Sequence, residues 1–117
     1  MTETINVTVS GQDISIQERE LWVSKTGAVY VASFTFTGWN DFTTRKAVFQ
    51  NVYGDRVEAD ITDGSCTLPA SALMDGELKV GCYGTGSGVT QLSSKWARIR
   101  VHIGAKTKIL EDAYGIY

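Results

Sequence analysis

Tyr30-Val31-Ala32-Ser33-Phe34-Thr35-Phe36-Thr37 is the stretch whose reading decides the fold. Tyr30, Ala32, Phe34 and Phe36 fall on one face, while Ser33, Thr35 and Thr37 fall on the other. A period of two is the signature of a half-buried strand, so the stretch predicts a strand whose aromatic face lines the centre of a core. Working outward, the same alternation recurs. Towards the N-terminus, Ile5, Val7 and Val9 alternate with Asn6, Thr8 and Ser10, and Ile14 and Ile16 follow a turn or kink at Gly11-Gln12. Leu21 and Val23 begin a short strand that breaks at Lys25-Thr26-Gly27.

Towards the C-terminus, Gly38-Trp39-Asn40-Asp41 interrupts the pattern, and Ala47 and Phe49 resume it facing inward, with Arg45, Lys46 and Gln50 near or on the outer side. Tyr53-Gly54-Asp55 turns the chain before Val57, Ala59 and Ile61. Asp63-Gly64 is a strong hairpin signal, because two-residue hairpin turns need positive φ. Cys66 and Leu68 follow, and Pro69 ends their strand because it has no N–H for a ladder. Ala70–Met74 is helix-like for a single turn and reads as a connector. Leu78, Val80 and Cys82 form the next inward face, Gly84–Gly88 reads as a flexible loop, and Ile99, Val101 and Ile103 close the core. Short strands about every ten residues, with turns between them and no apolar helical stripe, predict an all-β fold. The expected architecture is an antiparallel immunoglobulin-like β-sandwich of about seven to eight strands. The sandwich is assigned to residues 1–104, and 105–117 is read as an exit segment or partner-docking tail.

At 117 residues the chain has the length of one domain. Its 12 glycines and single proline suit a fold with many hairpins. A net charge of −2 argues against a nucleic-acid binder, which needs a concentrated basic surface. Met1–Thr4 has neither a basic region nor an apolar run, so no signal peptide is expected, and no stretch is apolar enough for a membrane helix. Without a secretory signal, Cys66 and Cys82 are expected to be reduced, buried thiols, with a disulfide as the alternative.

Catalytic chemistry finds little support. His102 is the one histidine, and its parity with Arg98 and Arg100 puts it on the solvent face of the last strand. These three residues form a small basic stripe suited to an acidic partner surface or to keeping a sheet face soluble. The two cysteines lack C-x-x-C spacing, and the glycine-rich loop lacks the helix start that a phosphate cradle needs. No enzyme, cofactor or metal is expected. The three tryptophans are more informative. Trp39, in a Gly-Trp-Asn-Asp-Phe break, is read as a core plug at one end of the sandwich. Trp22 and Trp96 carry outward parity and are the candidate interface anchors, together with Arg98, Arg100, His102, Tyr114 and Tyr117.

The block from Tyr30 to Phe49 carries, over Phe34–Phe49, the run Phe-x-Phe-x-x-Trp-x-x-Phe-x-x-x-Lys-Ala-x-Phe. Cys66-Thr67-Leu68-Pro69, Leu73, Leu78-Lys79-Val80-Gly81-Cys82-Tyr83-Gly84 and the opening Ile5–Gln12 extend the pattern over about residues 4–103. In this diffuse form the chain resembles the N-terminal domain of baseplate upper proteins and related tail proteins of phages and prophages of Firmicutes. The resemblance implies a virion structural module, made and folded in the bacterial host cytoplasm. It would self-associate as a homo-oligomer or dock on other tail or baseplate proteins, with neither nucleic acid nor membrane as partner. Residues 105–117, ending Tyr114-Gly115-Ile116-Tyr117, would then form the junction. A second expectation is a carbohydrate-binding β-sandwich in which Trp22 or Trp96 stacks on a sugar ring.

Overall fold

A computed structural model describes residues 2–23, 29–86 and 89–103. Ten strands run through the described residues: β1 (Thr2–Ser10), β2 (Asp13–Ile16), β3 (Glu20–Val23), β4 (Val29–Thr37), β5 (Thr44–Gln50), β6 (Arg56–Asp60), β7 (Ser65–Thr67), β8 (Gly76–Gly86), β9 (Val89–Ser93) and β10 (Ala97–Ile103). A short 3₁₀ turn at Ala70–Ala72 joins β7 to β8. Among the described residues no helix is long and apolar enough to cross a membrane. The strands form two sheets, one ordered β2-β1-β4-β7 and the other β3-β10-β8-β5-β6, with β9 also paired to β8. β5 pairs along Lys79–Thr85 of β8, so β10 and β9 take the opposite edge of β8, one after the other.

The all-β sandwich is as the alternation predicts, but its sheets are mixed rather than wholly antiparallel. β1 runs parallel to β4, with Ile5 opposite Ala32 and Val7 opposite Phe34. β3 runs parallel to β10, with Trp22 opposite His102. The cause lies at Gln17–Arg19. There the chain bends from one sheet into the other without reversing, so β2 and β3 behave as one interrupted strand and β4 returns in the direction of β1. Glu18 holds the bend, accepting hydrogen bonds from Asn6 N at 2.7 Å and Asn6 Nδ2 at 2.8 Å. Similar interruptions raise the strand count above the seven or eight expected. Residues 94–96 divide β9 from β10, and Ser94 Oγ there accepts the Cys82 N–H at 2.9 Å in place of a ladder carbonyl. Gly84–Gly86, read from sequence as loop, belong to β8, while 87–88 lie outside the described residues, as does the Lys25-Thr26-Gly27 turn.

Two-residue turns fall where the glycines place them. Gly11 has φ +58° between β1 and β2. Asp63 and Gly64 have φ +53° and +80°, and Thr62 and Ser65 exchange backbone hydrogen bonds across them. Between the sheets lie Tyr30, Ala32 and Phe34 from β4, Ile5, Val7 and Val9 from β1, Phe49 from β5, Leu78 and Val80 from β8, and Ile99 and Val101 from β10, all buried. Phe36 is only partly buried, at the margin of this core. Arg45, placed near the outer side from sequence, has inward parity instead. Its guanidinium lies 4.6 Å from the Phe36 ring centroid and donates to Trp39 O at 2.8 Å. A charged residue can end an inward row this way, because its stem covers apolar surface while its head finds acceptors.

Trp39 closes that end of the sandwich, fully buried, with its indole N–H donated to Gly11 O at 2.8 Å. Its ring crosses β8 where Gly84 has no side chain. A Cβ at Gly84 would come within 2.8 Å of both Trp39 Cζ3 and Phe42 Cβ. Gly84→Ala should therefore lower stability by about 1–3 kcal/mol through overpacking, read as a lower urea midpoint with little change in m-value.

Cys66 and Cys82 are buried, free thiols on different sheets. Burial pushes the Cys66 thiol up to about 11. It raises Cys82 as well, against the opposing pull of a Ser94 hydrogen bond and the Arg45 charge. A raised folded-state value means that the protonated thiol is the form the fold favours. Its contribution is complete below the unfolded value of 9.0 and is lost as pH rises towards 11. The urea midpoint should therefore fall across that interval, and fall less in Cys66→Ala than in the parent. An equal fall in both would remove Cys66 as a source of the pH dependence.

Candidate functional site

Parity along β10 sends Ala97, Ile99 and Val101 into the core and Trp96, Arg98, Arg100 and His102 to the outer face of the larger sheet. Trp22 stands beside His102 through the parallel β3–β10 register. Five of the seven sequence-derived candidates therefore share one sheet face. Tyr114 and Tyr117 lie outside the described residues.

The detail of that face differs from a free basic stripe. Arg98 Nε is 3.5 Å from Glu77 Oε1, and Arg100 Nη2 is 3.7 Å from Asp75 Oδ2. Both pairs are solvent-exposed, so each is worth only about 0–1 kcal/mol, but they neutralise the stripe. His102 is not a solvated histidine. Its side chain is only 25% exposed and its ring stacks on Trp22 at a centroid distance of 4.2 Å and an interplanar angle of 14°. His102 Nε2 lies 2.9 Å from Glu20 Oε1 without hydrogen-bond alignment. Sequence parity gave the correct face and missed the cover, because Trp22 reaches His102 only through a pairing between residues 80 positions apart.

Trp96 faces outward as its parity predicts, yet it is half covered. It lies across Gly81, where a Cβ would sit 3.3 Å from Trp96 Cε3, and the Arg56 guanidinium is 5.3 Å from its ring centroid. Gly81 and Gly84 of β8 therefore act in opposite directions. Gly84 admits Trp39 on the inner face, and Gly81 admits Trp96 on the outer one.

A second feature was not read from the sequence. Six large apolar side chains are exposed among the described residues: Trp22, Val29, Val52, Tyr53, Met74 and Trp96. All but Trp96 gather at the end of the sandwich where β3, β5 and β10 finish and β4, β6 and β8 begin. Tyr53 is 72% exposed and Trp22 58%. Val52 packs on Gly76, where an added Cβ would meet it at 2.8 Å. The turn that carries Val52 and Tyr53 is held by the buried side chain of Asn51. Asn51 Oδ1 accepts from Tyr53 N at 2.9 Å and from Asp55 N at 3.0 Å, and Nδ2 donates to Ser71 O at 3.0 Å. The turn is thus bonded to the connector at Ala70–Ala72, and Tyr53 is presented on rigid backbone. Tyr53-Gly54-Asp55 announces a turn in the sequence. The preceding Asn51, whose side chain can mimic a backbone turn, was the available signal for its rigidity.

Among the described residues no group of three or more His, Cys, Asp and Glu side chains is placed to hold a metal ion. Fold and surface together define an all-β sandwich module whose aromatic residues are displayed on one sheet face and one end. No protein-family model matches the chain, and no curated protein matches it in sequence.

Proposed function

We propose that the chain is a non-enzymatic structural module of a phage tail or baseplate, docking on other virion proteins through the end that carries Trp22, Val52, Tyr53 and Met74. One observation carries this reading: five of the six exposed large apolar side chains lie together at that end. Contiguous exposed apolar surface marks interaction sites on soluble domains, and Trp, Tyr and Met are the residue types enriched in interface cores. The Asn51 bonds lower the ordering cost of binding, since Tyr53 is already held in place. The paired Arg98–Glu77 and Arg100–Asp75 charges supply a polar margin beside the apolar end. The resemblance of residues 4–103 to baseplate upper proteins points to the class of partner. An immunoglobulin-like reading of the sandwich fits the β3-β10-β8-β5-β6 order, in which a first-half strand adds to the edge of a three-stranded sheet core.

The test is co-expression with the tail proteins of the same phage, followed by light-scattering mass of the purified complex. The chain should enter a complex or a symmetric oligomer. Tyr53→Ala and Trp22→Ala, both at exposed positions, should each weaken that association by about tenfold or more. A strict monomer that joins no tail protein would refute the proposal.

A further inference from the structure

A concavity of about 450 Å³ opens on the outer face of the larger sheet, about 20 Å along β10 from the Trp22–His102 stack. Its floor is the bare backbone of Gly81 beside Val48, and its rim carries Trp96, Arg56, Glu58 and Tyr83. The volume lies within the range of small-ligand sites. We infer that this trough is a binding site for a neutral saccharide of one or two rings. The inference does not rest on the docking end.

Four features select that ligand class. Trp96 lines the trough and is 36% exposed, and the ring area that Gly81 and the Arg56 guanidinium leave open is apolar surface for the C–H groups of a pyranose. Glu58 is fixed by the Tyr83 hydroxyl, which donates to Oε1 at 2.5 Å, so a carboxylate with remaining acceptor capacity stands ready for sugar hydroxyls. The same bond raises the Tyr83 phenol above its ordinary range, because a phenolate would face Glu58. Arg56 donates to Gln50 Oε1 through Nη2 at 3.0 Å, leaving further N–H donors of the fork for ligand oxygens. Finally, Arg56 and Glu58 balance one another. A phosphate would meet the carboxylate and an ammonium would meet the guanidinium, whereas a polyhydroxylated neutral ring uses both. Gly81 is what seats Trp96 at the trough, since a Cβ there would lie 3.3 Å from Trp96 Cε3.

The experiment is a titration of the chain with maltotriose, cellotriose, chitotriose and a galactan oligomer, followed in amide and indole N–H NMR spectra. At least one sugar should shift the Trp96 indole and the Gly81 amide saturably, leaving the Trp22 and Trp39 indoles in place. Glu58→Gln, a change at an exposed residue that leaves the core intact, should weaken that binding by about tenfold. Trp96→Ala should abolish it. No shift at the Trp96 indole with any of the four at about 20 mM sugar, a ceiling for weak single-ring binding, overturns the inference. So does a titration that survives both substitutions. Because these readouts are taken on the isolated chain, they stand or fall apart from the docking of Tyr53 and Trp22.

Discussion

Trp39→Ala should cost the domain about 3–5 kcal/mol and leave it largely unfolded in mild urea. The reason is the number of separate interactions that meet in one side chain. The ring is fully buried, with centroids 5.0 Å from Phe36 and 5.4 Å from Phe42, and it occupies the niche that Gly84 leaves open on β8. Its loss opens a cavity that β8 cannot fill, since position 84 has no side chain to move. The Gly11 carbonyl at the β1–β2 turn also loses its indole donor. A domain of this size has about 5–15 kcal/mol in total, so one substitution removes a large share. Trp39→Phe keeps an aromatic ring but loses the N–H and the five-membered part of the indole, so it should recover only part of the loss. A urea series on the parent and the two variants reads both effects. A Trp39→Ala variant as stable as the parent would show that this end of the sandwich is not closed by Trp39.

The second large effect is expected at Asn51. In Asn51→Ala, Tyr53 N, Asp55 N and Ser71 O lose their partner at once, and each unsatisfied group costs about 1–3 kcal/mol unless water replaces it. The turn lies near the surface, so partial hydration should limit the total to about 3 kcal/mol. Asn51→Asp is more diagnostic. It keeps the acceptor for the two N–H groups but turns an oxygen on Ser71 O and sets a second carboxylate beside Asp55 Oδ2, now 3.5 Å from Nδ2. Burial, the Asp55 charge and the facing Ser71 O raise the introduced carboxyl above its unfolded value, against the lowering pull of the Tyr53 and Asp55 N–H groups. Its stability is therefore best below the unfolded carboxylate range and is lost as pH rises through the raised value. Urea midpoints across that range should show Asn51→Asp recovering towards the parent as pH falls, while Asn51→Ala shows no such recovery. Both variants should also weaken the proposed docking, because Tyr53 loses its fixed backbone.

Most of the core was legible because period-two alternation is local. Tyr30, Ala32 and Phe34, like Ile5, Val7 and Val9, bury the side chains their parity assigns. Trp39 was legible as an end plug, since a large aromatic in a strand break has one sheltered place to go. Strand direction was not legible. The parallel pairs β1–β4 and β3–β10 depend on the bend at Gln17–Arg19, whose hold is a clasp between Asn6 and Glu18 that no spacing rule announces. Gly84–Gly86 misled for a similar reason. Their glycines look like loop, but Gly84 faces inward to admit Trp39 from another strand break 45 residues earlier. At the candidate sites, parity placed Trp22, Trp96, Arg98, Arg100 and His102 on the correct face. It could not show that the arginines are paired, that His102 is covered by Trp22, or that Val52, Tyr53 and Met74 converge with Trp22, because each of these is a long-range contact.

The proposed docking end is tested most directly by hydrogen exchange of the chain, free and mixed with the tail proteins that the proposal names as its partners. Backbone protection gained on complex formation should fall on Glu20–Val23, on 51–55 and on 73–76, around Trp22, Tyr53 and Met74. Protection confined to the opposite end, at 38–42 and 62–64 around Trp39 and the Asp63-Gly64 turn, would contradict the proposed docking end.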